Sequence, residues 1–424
     1  QHEGKLQDRL RRLNRPMKQK KIVLATFGSR GDVQPMLALS LALRAAGHRA
    51  ILAGPPEKAG WARELGCPFQ PFGSDVTAFL DRMKNAHSIR SAFFFLRYLR
   101  NEFAIQFRTL PKIIAGADLV IGASLAIGLS TLAEAMEIPY RYIAFTPQLL
   151  PSGRHPFLAC KHQNLPKSMN CLTWRAAREM DRFNLRAMLN GKRRQLGLKP
   201  VRDPWLHILG PHVIVASDRA VSRVPPDVTP TFTQTGYMHL NQPHVCLAEL
   251  EAFLSRGSPP VYAGFGSMPK IDQAGIVPII VHAARAAGER CVIAKFWDGP
   301  SPFAHSKDVF FIAKYPHLKL FPRMAIVIHH GGAGTTACAA ASGRPQIIVP
   351  HILDQYYWAD QVHRAGLGPK PVWRGRLTIR NLAAAIREAG KNREIARRTR
   401  SAATAIARTN GLEMTVNALL REVY

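Results

Sequence analysis

Short apolar runs alternate with longer amphipathic stretches along most of this chain. Lys21–Phe27 (KIVLATF) is apolar at nearly every position, the pattern of a strand covered on both faces. Behind it Asp32 is placed to cap a helix, Pro35 falls in its first turn and Gly47 at its end. Arg49–Ala53, Asp118–Gly122, Tyr140–Phe145 and Val213–Ala216 repeat the strand pattern, with helical segments between them. A second series opens at Val261–Phe265 and continues through Cys291–Ala294, Val309–Ile312, Ile326–Ile328 and Gln346–Val349. Strands alternating with helices predict parallel sheets. The fold class expected is therefore α/β, in two doubly wound halves joined near Met238–Leu254. The stretch Thr378–Tyr424 is expected to be helical, with Lys and Arg on its solvated face.

Length agrees with two halves, because 424 residues exceed what one core ordinarily serves. A hydrophobic fraction of 47% is ordinary for a globular protein. No run of about 18 apolar residues is present, so no transmembrane helix is predicted, and no secretory signal opens the chain. Residues 1–16 are polar and basic; Met17 reads as a natural start, with the preceding residues an extension given no role. Six scattered cysteines without a CxxC pair argue against a zinc or redox motif and fit a cytoplasmic setting.

Charge changes the picture more. Lys and Arg number 58 against 28 Asp and Glu, a net charge of +30. Such an excess points to an anionic partner, whether nucleic acid, a membrane surface or a charged substrate, or else serves only solubility in a basic proteome. No nucleic-acid-binding motif accompanies it, so nucleic acid is not expected, and an anionic membrane surface suits it better. Ile89–Phe107 adds an amphipathic stretch in which Phe93, Phe94, Phe95, Leu96, Tyr98 and Leu99 lie among Arg90, Arg97 and Arg100. It suits a membrane interface, the wall of an apolar pocket, or an ordinary helix burying one face.

Four turns carry candidate chemistry. In Ile326–Thr336 (IVIHHGGAGTT) a strand runs into glycines and then into a small-residue helix. Such a turn lets backbone N–H groups approach a phosphate, and the helix N-terminus adds about half a positive charge. His330 and Thr335 are placed to donate to phosphate oxygens, while His329 finishes the strand. One unit later, Asp354 and Gln355 follow a strand's C-terminal end, where open α/β sheets bind ligands, and the pair suits the vicinal hydroxyls of a sugar. Val261–Met268 (VYAGFGSM) ends a strand in Gly264, Gly266 and Ser267, a turn expected to face the same phosphates. Thr26–Val33 (TFGSRGDV) places Asp32 at the end of the first strand, as helix cap or as general base toward an acceptor hydroxyl. No two aspartates are spaced DxD, so no metal is expected to hold the diphosphate; a helix N-terminus and His330 would do so. No P-loop lysine motif is present, which argues against an NTPase.

Together these motifs resemble the GT-B glycosyltransferases of family 1, particularly the sterol 3-β-glucosyltransferases and the glycopeptide-antibiotic glycosyltransferases. The likeness is carried by Gly28–His48 (GSRGDVQPMLALSLALRAAGH), Pro260–Met268 (PVYAGFGSM) and His329–Val372, and is weak over about Ala53–Ala117 and Lys161–Leu209. It implies two Rossmann-like domains facing across a cleft. These would be an acceptor-binding domain over 17–237, a linker over 238–254, a nucleotide-sugar-binding domain over 255–400, and a C-terminal helix in 401–424 packing back on the first domain. It implies Asp32 as the catalytic base. Donor contacts would come from Gly266, Ser267, His330, Gly332, Ala333, Gly334, Thr335, Asp354 and Gln355. Acceptor contacts are expected from Phe94, Phe145 and His155. The implied reaction is inverting and uses no cofactor beyond the nucleotide sugar as co-substrate. One departure is Pro316–Phe321 (PHLKLF), where Leu318 and Lys319 replace the Asp and Trp common in sterol-type members.

Two enzymatic expectations follow, both members of the same family. The first is transfer of a hexose from a UDP-glucose-type donor to a sterol-like or other lipid alcohol, by a cytoplasmic protein peripheral on the membrane. The second is tailoring of a soluble natural product with a UDP- or dTDP-linked sugar. A binding protein without catalysis is disfavoured, because Asp32, His330, Asp354 and Gln355 are all intact.

Overall fold

The computed structural model describes residues 19–76, 89–158, 160–242, 246–266, 270–295, 303, 305–313 and 315–421. Two parallel sheets organise the chain. The first contains β1 (Lys21–Phe27), β2 (Arg49–Gly54), β3 (Phe69–Pro71), β4 (Leu119–Ser124), β5 (Tyr140–Ala144), β6 (His212–Val215) and β7 (Thr231–Gln234), in spatial order 3-2-1-4-5-6-7. The second contains β8 (Val261–Gly264), β9 (Cys291–Ala294), β10 (Val309–Ile312), β11 (Ile326–His329) and β12 (Gln346–Ile348), in order 10-9-8-11-12. Both are doubly wound Rossmann-like sheets, and in both the strand order reverses beside the opening strand, between β1 and β4 and between β8 and β11.

The edge strands β3 and β7 escape the sequence pattern. The first is only three residues long and ends in proline, and the second, TFTQ, is polar at three of its four positions. The first helix also differs from its expected start. It runs Arg30–Ala45 with Ser29 as N-cap, so Asp32 is its third residue rather than the cap.

Two apolar layers flank each sheet. In the first unit Ile22, Leu24, Leu39 and Leu52 meet on one face and Val23, Phe27, Leu110 and Val120 on the other. The segment expected to be a linker is largely built into the two cores. Met238 and Leu240 pack into the first, whereas Leu250 and Phe253 of helix Ala248–Ser255 pack beneath Tyr262 and Val292 in the second. The chain crosses between the units within the short stretch from Leu240 to Ala248.

It returns near its end. Helix Arg393–Ala407 packs on helix Ala333–Ala341 of the second unit, and helix Gly411–Arg421 packs on Arg30–Ala45 of the first. There Val416, Leu419 and Leu420 join the first core. The returning strand of chain passes so close to the outgoing one that a Cβ on Gly411 would lie 2.6 Å from the Gly236 carbonyl carbon and the Tyr237 oxygen. A 2.7 Å hydrogen bond between the Thr235 and Thr415 hydroxyls fastens the crossing. Among the described residues, no helix is long and apolar enough to cross a membrane.

Candidate active site

Strand C-termini of both sheets border one cleft of about 1560 Å³. Ligands of open α/β sheets bind where the strand order reverses, and here both reversals open onto the same space. From the first unit come Gly28, Ser29, Arg30, Asp32 and Ser124; from the second come Gly266, His330, Gly332, Ala333, Gly334, Thr335, Asp354 and Gln355.

Asp32 is anchored on three sides. Its Oδ2 accepts the Ser29 backbone N–H at 2.7 Å and the Ser29 hydroxyl at 3.0 Å, and its Oδ1 accepts the Ser124 hydroxyl at 2.7 Å. A carboxylate offers about four lone-pair sites, so one remains, on Oδ1. Gly28 makes this packing possible, because a Cβ there would collide with the carboxylate itself. Burial raises the Asp32 pKa, and the bonds from Ser124 and Ser29 work against that rise. Ser124 holds φ at +54°, a left-handed conformation costing a non-glycine residue about 1 kcal/mol. The conformation stands where β4 ends and turns the hydroxyl toward Asp32.

The histidine pair divides its work. His329 is fully buried; its Nδ1 accepts the Gly331 N–H at 3.0 Å and its Nε2 donates to Gln346 Oε1 at 2.9 Å, which fixes a neutral ring at the end of β11. His330 instead borders the cleft. Burial, then the imidazoles of His329, His351 and His317, push its pKa down to about 3. Its ring is neutral, and an anion placed beside it favours its protonated form. Two glycines give its ring room: a Cβ on Gly266 would lie 2.8 Å from Cε1, and one on Gly332 would lie 2.6 Å from Nε2.

Helix Ala333–Ala341 starts immediately behind, with Gly332 as N-cap and no acidic residue in its first turn. The Thr336 hydroxyl bonds back to the Gly332 carbonyl at 3.0 Å, while Thr335 borders the cleft. Unspent backbone N–H groups at such a helix end attract an anion.

Asp354 and Gln355 follow Leu353, whose φ is +51°. The Asp354 pKa is pushed up to about 7, first by burial and then by the charge of Asp32, with the Trp358 indole opposing. At neutral pH this carboxyl divides between donor and acceptor forms. Gln355 carries a structural task that its sequence position did not announce: its Oε1 accepts the N–H groups of His351 (2.8 Å) and Ile352 (3.1 Å) and so folds the loop that presents Asp354.

The acceptor residues fare differently. Phe145 borders the cleft. Phe94 lies in helix Ile89–Ile114, and its side chain is outside those described, as is all of Ser267. His155 does not border the cleft. It is buried with its ring edge-on to Trp174 and Tyr357, at 6.0 and 5.7 Å, and burial pushes its pKa down to about 4. A buried imidazole among aromatic rings supports the wall from behind. The cleft residues that the sequence reading missed include Ser124, Tyr142, Trp205 and His317. Only His317 stood in a motif already singled out; the other three carry no local signal. Among the described residues, no cluster of three or more His, Cys, Asp or Glu side chains is placed to hold a metal ion.

Comparison with known proteins bears on the family and the fold. Residues 22–152 match the glycosyltransferase family 28 N-terminal domain, and residues 301–415 match the C-terminal domain of erythromycin biosynthesis protein CIII-like proteins. The chain is 33% identical to the vancomycin aglycone glucosyltransferase of Amycolatopsis orientalis, over 95% of this chain and 98% of that one. It is 32% identical to a sterol 3-beta-glucosyltransferase of Arabidopsis thaliana, over 87% of this chain and 62% of the plant protein. Among solved structures, the glycosyltransferase of kitacinnamycin superposes with a TM-score of 0.71 at 19% identity, covering 95% of this chain and 99% of that one. That likeness establishes the shared fold.

Proposed function

The chain belongs to the GT-B glycosyltransferases, in the group that includes glycopeptide-antibiotic and sterol glycosyltransferases, and on that footing we propose that it moves a hexose from UDP-glucose to the hydroxyl of a hydrophobic, lipid-like alcohol at a membrane surface. The observation that carries the acceptor class is the first unit's half of the cleft. Phe27, Ile127, Phe145, Leu149, Leu185 and Trp205 border it, as does Asp32. An apolar chamber with a few convergent polar groups is the form that binds a largely hydrophobic molecule and orients one hydroxyl.

In this reading the acceptor hydroxyl lies against Oδ1 of Asp32. Its oxygen attacks the anomeric carbon from the face opposite the leaving group, the bond from that carbon to the β-phosphate oxygen breaks, and the hydroxyl proton passes to Asp32. The products are an inverted glycoside and UDP. Burial makes Asp32 a stronger base than an ordinary carboxylate. Charge developing on the departing diphosphate is met by the N-terminus of helix Ala333–Ala341 and by His330. Asp354 accepts from or donates to the sugar hydroxyls, on a loop held by Gln355.

A second reading, tailoring of a soluble natural product with a dTDP- or UDP-linked sugar, is favoured by the near full-length match to the vancomycin aglycone enzyme. Product mass spectrometry decides between them. The chain is offered UDP-glucose and dTDP-glucose in turn, each with a mixture of sterols and lipid alcohols and with a panel of soluble aglycones. The proposal expects a glucosylated lipid alcohol with UDP-glucose; products confined to the soluble panel would overturn it.

A further inference from the structure

Helix Lys167–Phe183 presents an apolar stripe to solvent. Met169, Leu172, Ala176, Met180 and Phe183 recur at helical spacing and so share one face. They are not covered: Met169 is 44% exposed, Leu172 54%, Met180 70% and Phe183 78%. The opposite face is in contact with the protein. There Trp174 is buried and stacks edge-on against Trp205, which borders the cleft, at 6.3 Å. One helix therefore separates the apolar chamber from an apolar outer surface.

The surroundings are strongly basic. Residues 161–203 carry eleven Lys and Arg against three Asp and Glu. Arg175 and Arg182 lie along one flank of the stripe, with Arg182 paired to Glu179, whereas Arg178 lies toward the Trp174 face and pairs with Asp203. At the Phe183 end, Asn184 accepts a hydrogen bond from Arg100 at 3.4 Å, which places helix Ile89–Ile114 alongside; one turn earlier that helix exposes Leu96 and Arg97. The chamber lies close by, since Leu185 and Tyr98, each within two residues of the patch in sequence, border the cleft.

Exposed apolar side chains flanked by cations are the arrangement that binds in the headgroup region of an anionic bilayer. We propose that this face docks on an anionic lipid bilayer and that the acceptor passes from it directly into the chamber. The delivery step rests on the hydrophobic-acceptor reading above, whereas the docking step does not. A protein partner would meet the same stripe, but nothing about such a partner would call for a cationic flank close to an apolar chamber.

The full chain is floated with vesicles of phosphatidylcholine and phosphatidylserine in equal parts, and with phosphatidylcholine alone. Binding is expected to the mixed vesicles and to fall at least about tenfold on the neutral ones. The double variant Met180→Asp/Phe183→Asp, altered only at exposed positions, is expected to lose at least about tenfold in binding to the mixed vesicles. It should also lose transfer to a sterol embedded in those vesicles while keeping transfer to the same sterol in detergent micelles. Failure of the wild-type chain to float, equal binding to neutral vesicles, or undiminished binding by the variant would each overturn docking. So would a wild-type dimer in sedimentation that the variant dissolves without any flotation by either. Flotation without sterol transfer in vesicles or micelles would leave docking standing and remove the acceptor reading.

Discussion

The two strand-order reversals that face each other across the cleft have the same topology and opposite electrostatics. Behind β1, helix Arg30–Ala45 opens on Ser29, and its third residue, Asp32, folds back onto the Ser29 N–H. That helix N-terminus is already occupied by an anion of its own chain. Behind β11, helix Ala333–Ala341 opens on Gly332 without an acidic residue in its first turn, so the positive end of its dipole is left for a ligand. One short stretch at the start of a helix therefore decides whether the turn carries its own carboxylate or leaves its N–H groups open to an anion. Under the function proposed here, the same contrast puts the proton acceptor and the diphosphate site on opposite walls. A carboxylate at the second turn would repel the diphosphate, and an open N-terminus at the first would compete for it.

The largest effect is expected where the first turn loses its charge. Asp32→Asn keeps the shape, with its one amide oxygen accepting the Ser29 N–H and its NH2 donating to the Ser124 hydroxyl oxygen, but it cannot take the acceptor proton. Single-turnover rates should fall about 10³-fold, while donor affinity, measured by calorimetry with UDP-glucose, stays within about threefold. A variant with near-normal turnover would remove Asp32 from the role of base. Next in size is the exchange that makes the second turn resemble the first. Thr335 occupies the third helical position, as Asp32 does in the other turn. Thr335→Asp should fill the N-terminus with its own carboxylate and weaken UDP-glucose binding about 100-fold, yet leave the melting temperature equal or higher, because an acidic residue in a first turn favours the helix. Loss of binding together with loss of stability would mean that the turn is simply damaged, and would break the comparison.

How much of this contrast could be read beforehand depends on whether a role is local. Among the described residues, the strand pattern located ten of twelve strands and the doubly wound halves, since strands buried on both faces are apolar throughout. The glycines of the second turn follow a local requirement, since Gly266, Gly331 and Gly332 all stand where a Cβ would meet another group. Ser124 was not legible. It lies 92 residues from Asp32, and the fact that matters is a parallel register pairing Phe27 with Ser124. His155 was misplaced for the same reason: nothing near it in sequence shows that Trp174 and Tyr357 enclose it. Trp205 reaches the cleft through tertiary packing alone.

Ser124 offers a finer test of the first turn. Its hydroxyl lowers the Asp32 pKa against the larger effect of burial. Asp32 must be ionised to act as a base, so activity is lost as pH falls through its pKa. Ser124→Ala removes a stabilising donor, raises that pKa further, and should move the acid limb of the kcat/KM profile to higher pH, with about a tenfold loss at neutral pH. An unmoved acid limb would assign the limb to another group.

The smallest expected effect joins the two walls. Asp354 has its pKa raised to about 7 by burial and by the charge of Asp32. A carboxyl with a raised folded-state pKa contributes stability below its unfolded value, and that contribution is lost as pH rises through about 7. Above that pH the fold must hold a partly buried charge facing Asp32. Asp354→Asn should therefore raise the melting temperature by about 2 °C at alkaline pH and change it little at acid pH, while weakening sugar recognition. The coupling also gives a cross-check. In Asp32→Asn the charge that helps to raise the Asp354 pKa is gone, so that pKa, followed by carboxyl NMR titration, should move down. If it does not move, the two carboxyls do not sense each other across the cleft, and the opposition between the walls would reduce to two independent turns.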